Sequence, residues 1–84
     1  MRPLPATAFV ALNEAGVELT RAMAKHGPMR GAHEGYAVIL EELDELWEEV
    51  KRQKPDMSTK RKEALQVAAM ALRFVADVCG VVES

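Results

Sequence analysis

The chain has 84 residues, 49% of them hydrophobic and 29% charged, with a formal net charge of −2. That length supports one domain, residues 1–84, and the slightly acidic balance excludes a groove-type nucleic-acid binder, which needs lysine and arginine in excess along one face. Cys79 is the one cysteine, so no intrachain disulfide can form; a chain this short buries only about 60% of its unfolded surface, and oligomerisation or a bound metal ion is expected to complete its stability.

Arg2 is followed by a short apolar stretch that Asn13 and Glu14 interrupt. Neither a secretory h-region nor a membrane span can be drawn there. A cytoplasmic setting with no membrane partner is expected, and a lone thiol suits a reducing compartment. Glycine and proline divide the chain at Pro3 and Pro5, in residues 26–33, at Pro55 and at Gly80. The first segment between them, residues 7–25, spaces Phe9, Val10, Leu12, Val17, Leu19 and Met23 compatibly with a helix, which Gly16 weakens. His26 and His33 flank the glycine-rich turn that follows. Without a CxxC or HExxH pattern they read as loop residues rather than zinc ligands.

The second segment, residues 34–53, sets Tyr36, Ile39, Leu40, Leu43, Leu46, Trp47 and Val50 on one helical stripe, so Tyr36 and Trp47 are expected in the core. Six of the nine residues 41–49 are acidic: Glu41, Glu42, Asp44, Glu45, Glu48 and Glu49. Like charges at i,i+3 and i,i+4 cost about 0.2–0.5 kcal/mol per pair. At about 100° per residue, Glu42, Glu45 and Glu49 fall within roughly 60° beside the apolar stripe, Glu41 and Glu48 point further outward, and Asp44 lies on the opposite flank. Such a cluster is either a solvated acidic face or a hard-cation site, since Mg²⁺ takes one or two carboxylates and leaves places for water and a substrate phosphate.

The third segment, residues 59–78, has Ser58 or Asp56 as N-cap and Gly80 as its stop. It offers Glu63 and, one turn on, Gln66 as facing partners for the acids of the second helix. Lys60, Arg61 and Lys62 occupy its first turn, where the macrodipole disfavours cations; with Lys54 they are either solvated side chains or attract a phosphate chain to a metal held next door. Residues 67–72, VAAMAL, are apolar without a break, so this helix has to be covered all round. A partner subunit is expected on the side of Ala68, Ala69, Leu72 and Ala76, with Met70 and Phe74 in the core and Arg73 and Asp77 as a structural i,i+4 pair. The fold class is all-α: a bundle of three main helices per chain, completed by homo-oligomerisation.

Glu42-Leu43-Asp44-Glu45, within EELDELWEEV, followed after a spacer of seventeen residues by Glu63-Ala64-Leu65-Gln66, resembles the ExxE and ExxD halves of the motif of MazG-type all-α nucleotide pyrophosphohydrolases, relatives of the dimeric dUTPases. The resemblance spans residues 33–77 and departs from the family at Gln66, which stands in the place of aspartate. It implies an enzyme, dependent on Mg²⁺ or Mn²⁺, that hydrolyses a nucleoside triphosphate between the α and β phosphates to a monophosphate and pyrophosphate, as a dimer or tetramer. Carried over residue by residue, it makes Glu42, Glu45 and Glu63 metal ligands, with Gln66 offering a neutral oxygen. In that reading Glu45 or Glu49 serves as the base, Lys54, Lys60, Arg61 and Lys62 are the substrate-binding cations, and the last three neutralise the leaving pyrophosphate. The competing expectation is a non-catalytic helical oligomer of the same fold, a nucleotide- or protein-binding module in which Gln66 marks lost chemistry.

Overall fold

A computed structural model describes residues 2–53 and 56–80. Three helices follow one another: α1 (Ala6–Lys25), α2 (Ala32–Lys51) and α3 (Met57–Phe74), the last running into a π-helical turn, Val75–Cys79. No strand occurs among the described residues, and no helix among them is long and apolar enough to cross a membrane. The fold is thus all-helical.

Local chemistry sets the ends of α3. Asp56 is its N-cap: its carboxylate accepts from the amides of Ser58 and Thr59 at 3.1 and 3.3 Å and from both hydroxyls. Those bonds hold the Asp56 carboxyl below the usual range, and its charge at the N-terminus offsets the misplaced cations of the first turn. At the other end Gly80 has φ +72°, a left-handed conformation that favours glycine, and its amide donates to Val75 O at 3.0 Å, closing the π turn.

α3 is the middle element. It packs on α2 along one side and on α1 along the other, and α1 and α2 barely meet. The outcome is an open layer with extents of 43 × 33 × 22 Å. Its radius of gyration, 14.2 Å, exceeds the roughly 12 Å of a closed domain of this length.

What lies between the helices is small. Ala15, Gly35, Ala69, Met70 and Arg73 are buried, as is Met29 of the α1–α2 connection at 4% exposure. At Gly35 there is no room for a side chain, since a Cβ there would stand 2.5 Å from Cδ2 of Phe74, the last residue of α3. Met70 sits in the core as the sequence suggests.

Two expectations are corrected. Most of the apolar stripe of α2 faces outward: Tyr36 and Trp47 are 63% and 56% exposed, and Leu40, Leu43 and Val50 are exposed as well, while Ile39 and Leu46 are half-buried. Lys51 Nζ lies 5.7 Å from the Trp47 ring centroid. Toward α3 the helix turns Gly35, Val38, Glu42, Leu46 and Glu49 instead, all buried or half-buried. α1 behaves likewise, with Ala11, Ala15, Glu18 and Ala22 turned inward while Phe9, Leu12, Val17 and Met23 are exposed. The physical reason is packing distance: alanine and glycine let the three axes approach closely, and the larger side chains are displaced to the outside of the layer. Ala69 is the second correction. It is 0% exposed inside the chain and offers nothing to a partner, whereas Ala68, Ala71 and Leu72 line an open apolar groove between α1 and α3 of about 1050 Å³.

Candidate metal centre

The inward face of α2 brings its acids against α3. One carboxylate oxygen each from Glu42, Glu45 and Glu63 lies within 4.8 Å of the others, the first two one turn apart on α2 and the third from α3 across the gap. Glu42 and Glu63 are half-buried and Glu45 is exposed.

The electrostatics of this cluster are unfavourable without a counter-ion. Burial, then the charge of Glu45 and a hydrogen bond with it, then Glu63 and Glu41, push the Glu42 carboxyl up to about 7. Burial and Glu45 raise Glu63 as well, with Glu49 adding to the effect and Lys62 opposing it. Glu63 Oε2 is buried and has no hydrogen-bond partner, although a buried acceptor left unpaired costs about 1–3 kcal/mol. Oxygen ligands from two helices, an orphaned buried acceptor and a Glu42 carboxyl pushed up to about 7 all fit a hard divalent cation, which prefers charged oxygen and relieves the repulsion.

The other residues singled out by sequence lie around this point in unequal ways. Glu49, half-buried one turn beyond Glu45, pairs with Arg52 at 3.5 Å and is near enough to act on Glu63. Gln66 follows Glu63 by one turn, but its Nε2 donates to Glu18 Oε2 of α1 at 2.6 Å. Arg61 is held elsewhere, forking onto Glu14 of α1 through Nε and Nη2 at 3.1 and 2.9 Å. It lines the apolar groove, as does Lys60; the charge of Lys62, in the same turn, acts on Glu63. Lys54 lies outside the described residues. His26 and His33 are exposed.

Sequence reasoning missed Glu18 and the joint between Arg73 and the α1–α2 connection. Glu18 shares a helical stripe with Ala11, Ala15 and Ala22, and that run of small residues is the signal that could have found it. Arg73 and Asp77 do form an ion pair, at 3.9 Å, and both also reach back to the connection: Arg73 Nη2 donates to Gly27 O at 3.0 Å, and the Met29 amide donates to Asp77 Oδ2 at 3.1 Å. Comparison of the chain with protein-family models, curated proteins and solved structures finds no match.

Proposed function

We propose that the chain is a Mg²⁺-dependent nucleoside triphosphate pyrophosphohydrolase of the MazG kind, working as a homo-oligomer in the cytoplasm. The observation that carries this reading is the meeting of Glu42, Glu45 and Glu63 from two helices within 4.8 Å, at the positions where the motif resemblance puts metal ligands. Bound there, Mg²⁺ or Mn²⁺ would offset the phosphate charge that grows in the transition state. The chain's own residues divide the remaining work. Glu42 and Glu63 hold the site from opposite helices, and Glu45, the exposed member, or Glu49 behind it accepts the proton of the attacking water. Water attacks the α phosphorus, the bond from that phosphorus to the α–β bridging oxygen breaks, and pyrophosphate leaves. Lys62 contributes positive charge beside Glu63.

Product analysis tests the reading. Incubation of a triphosphate panel with the chain and Mg²⁺ or Mn²⁺ should yield monophosphate and pyrophosphate in equal amounts, and Glu42→Gln should abolish turnover. Orthophosphate as the product would place the chemistry at the wrong bond. One observation favours the second reading, a binding module without catalysis: Gln66 brings no charge and its amide already engages Glu18. Absence of turnover across the panel with both metals would select that alternative.

A further inference from the structure

Glu18 enters the contact between α1 and α3 from the stripe of Ala11, Ala15 and Ala22, whose small side chains let the two helices approach. Both of its oxygens are engaged: Oε1 accepts from Arg21 Nη1 at 2.7 Å, and Oε2 accepts from Gln66 Nε2 at 2.6 Å. The Glu18 side chain is 17% exposed and Gln66 is half-buried. The bond between them is therefore short, charge-assisted and largely shielded from water.

That bond decides which way the Gln66 amide points. An ionised carboxylate only accepts, so the NH₂ end has to face Glu18, and the carbonyl oxygen is the end turned from it. No donor among the described residues meets this oxygen. Gln66 stands one turn beyond Glu63 on α3 and, with Glu18 and Glu42, lines a cavity of about 790 Å³ beside the carboxylate cluster. Without the tie to Glu18 the amide could offer either of its ends there; with it, the amide offers an acceptor.

We propose that Glu18 is a positioning residue for the cation site: it holds the Gln66 amide so that the carbonyl oxygen is presented to the hydration shell of the divalent cation on Glu42, Glu45 and Glu63. The proposal rests on the metal-dependent hydrolase reading and gives Gln66 a part in it. Glutamine lacks the charge of the aspartate expected at its position, and a carboxylate on the amide nitrogen offsets part of that lack by polarising the carbonyl. Arg21, on the other oxygen of Glu18, orients Glu18 in turn. Such outer partners fix and tune the groups nearer a metal, and losing one typically weakens metal binding about 10–100-fold.

Calorimetric titration of the full chain with Mg²⁺ and with Mn²⁺, no nucleotide present, tests this. Glu18→Ala and Gln66→Met should each weaken metal binding about tenfold or more. The double variant should bind no more weakly than the more affected single one, because each removes the same arrangement. Glu18→Gln, whose carbonyl still accepts from the Gln66 amide, should stay within about threefold of the parent. Gln66→Met conserves volume, so the test stays readable if Glu18→Ala does not fold. A lower metal-free Tm in Glu18→Ala with parent-like metal affinity would reduce the bond to a tie between helices and overturn the proposal. So would a Glu18→Gln variant as weak as Glu18→Ala, which would put the effect in the charge of Glu18 alone, and so would a parent chain that binds neither metal. Metal binding without turnover in the parent, weakened in the variants, sustains the positioning role while the hydrolase reading fails; turnover with parent-like metal affinity in every variant removes the positioning role and leaves the hydrolase reading standing.

Discussion

Glu42 is the residue on which burial, Glu45 and Glu63 act in one direction. Its carboxyl moves from the ordinary 4.5 to about 7, so the folded chain holds a proton there that the unfolded chain has released. The sign follows: the stability this group contributes is fully present below pH 4.5 and is lost as the pH rises through about 7. Without divalent metal, thermal melts should therefore show a falling Tm between pH about 5 and about 7.5. A cation that binds the ionised cluster should raise Tm more at the upper end of that window than at the lower. Glu42→Gln should flatten the metal-free profile and remove most of the Mg²⁺ response; an unaltered profile in that variant would dissociate the pH effect from the cluster. Gln66 gives a second test. Aspartate there loses the 2.6 Å bond to Glu18 and sets two carboxylates face to face, so Gln66→Asp should cost about 1–3 kcal/mol with and without Mg²⁺. A Tm gain confined to Mg²⁺ would bring position 66 into the metal shell. At this scale the pairing of Glu42 with Glu45 was legible, since three residues make one helical turn. The partnership of Gln66 with Glu18 was not, because it depends on which face of α1 turns inward.

Element boundaries were legible to within a few residues, and for physical reasons that can be named: Asp56 offers the cap, Gly80 the left-handed stop, and the stretch around residues 26–31 lacks side chains that favour continuing a helix. What periodicity could not supply was the orientation of α2. A stripe of Leu40, Leu43, Trp47 and Val50 says that one face shuns water; it does not say whether the cover comes from the same chain. Gly35 decides the matter, because α2 approaches Phe74 through it. Gly35→Ala gains roughly 1 kcal/mol of helix propensity, yet its Cβ would meet Phe74 at 2.5 and 2.9 Å and Met29 Sδ at 3.1 Å. Overpacking of this kind costs about 1–3 kcal/mol, so the variant should melt below the parent. A rise in Tm would mean that the two helices are not so close. The joint made by Arg73 is open to a similar check. Arg73→Met leaves Asp77, whose side chain is 11% exposed, without its cation, and breaking such a buried pair costs about 3–5 kcal/mol. Adding Asp77→Asn should recover part of that loss, whereas independent, additive effects would show that the two residues do not act together.

For the molecule as a whole, the distribution of polarity is unusual for a self-sufficient bundle: acids and small residues lie between the helices beside Met29 and Met70, and most of the large apolar side chains lie outside. Leu46 borders both outer apolar surfaces, the groove between α1 and α3 and the patch formed by Leu43, Trp47 and Val50, so they form one continuous face. Exposed apolar surface on that scale marks an interface, and a layer of three helices with no large side chain fully buried among the described residues has little hydrophobic stabilisation of its own. The expected outcome is a folded oligomer whose subunits meet through this face. Trp47 is the one tryptophan of the chain, which makes the face directly observable. Its emission should be blue-shifted in the concentrated protein and move to the red on dilution, in step with a fall in mass measured by light scattering. Leu72→Glu, on the groove, should shift the equilibrium toward monomer or unfold the chain, because an unpaired charge buried at the contact costs several kcal/mol. Thr20→Glu, on an exposed position of α1 outside both surfaces, should leave the mass unchanged. A stable, folded monomer at micromolar concentration, with red-shifted Trp47 emission at every dilution, would show that this face stays in water and that the three helices suffice alone.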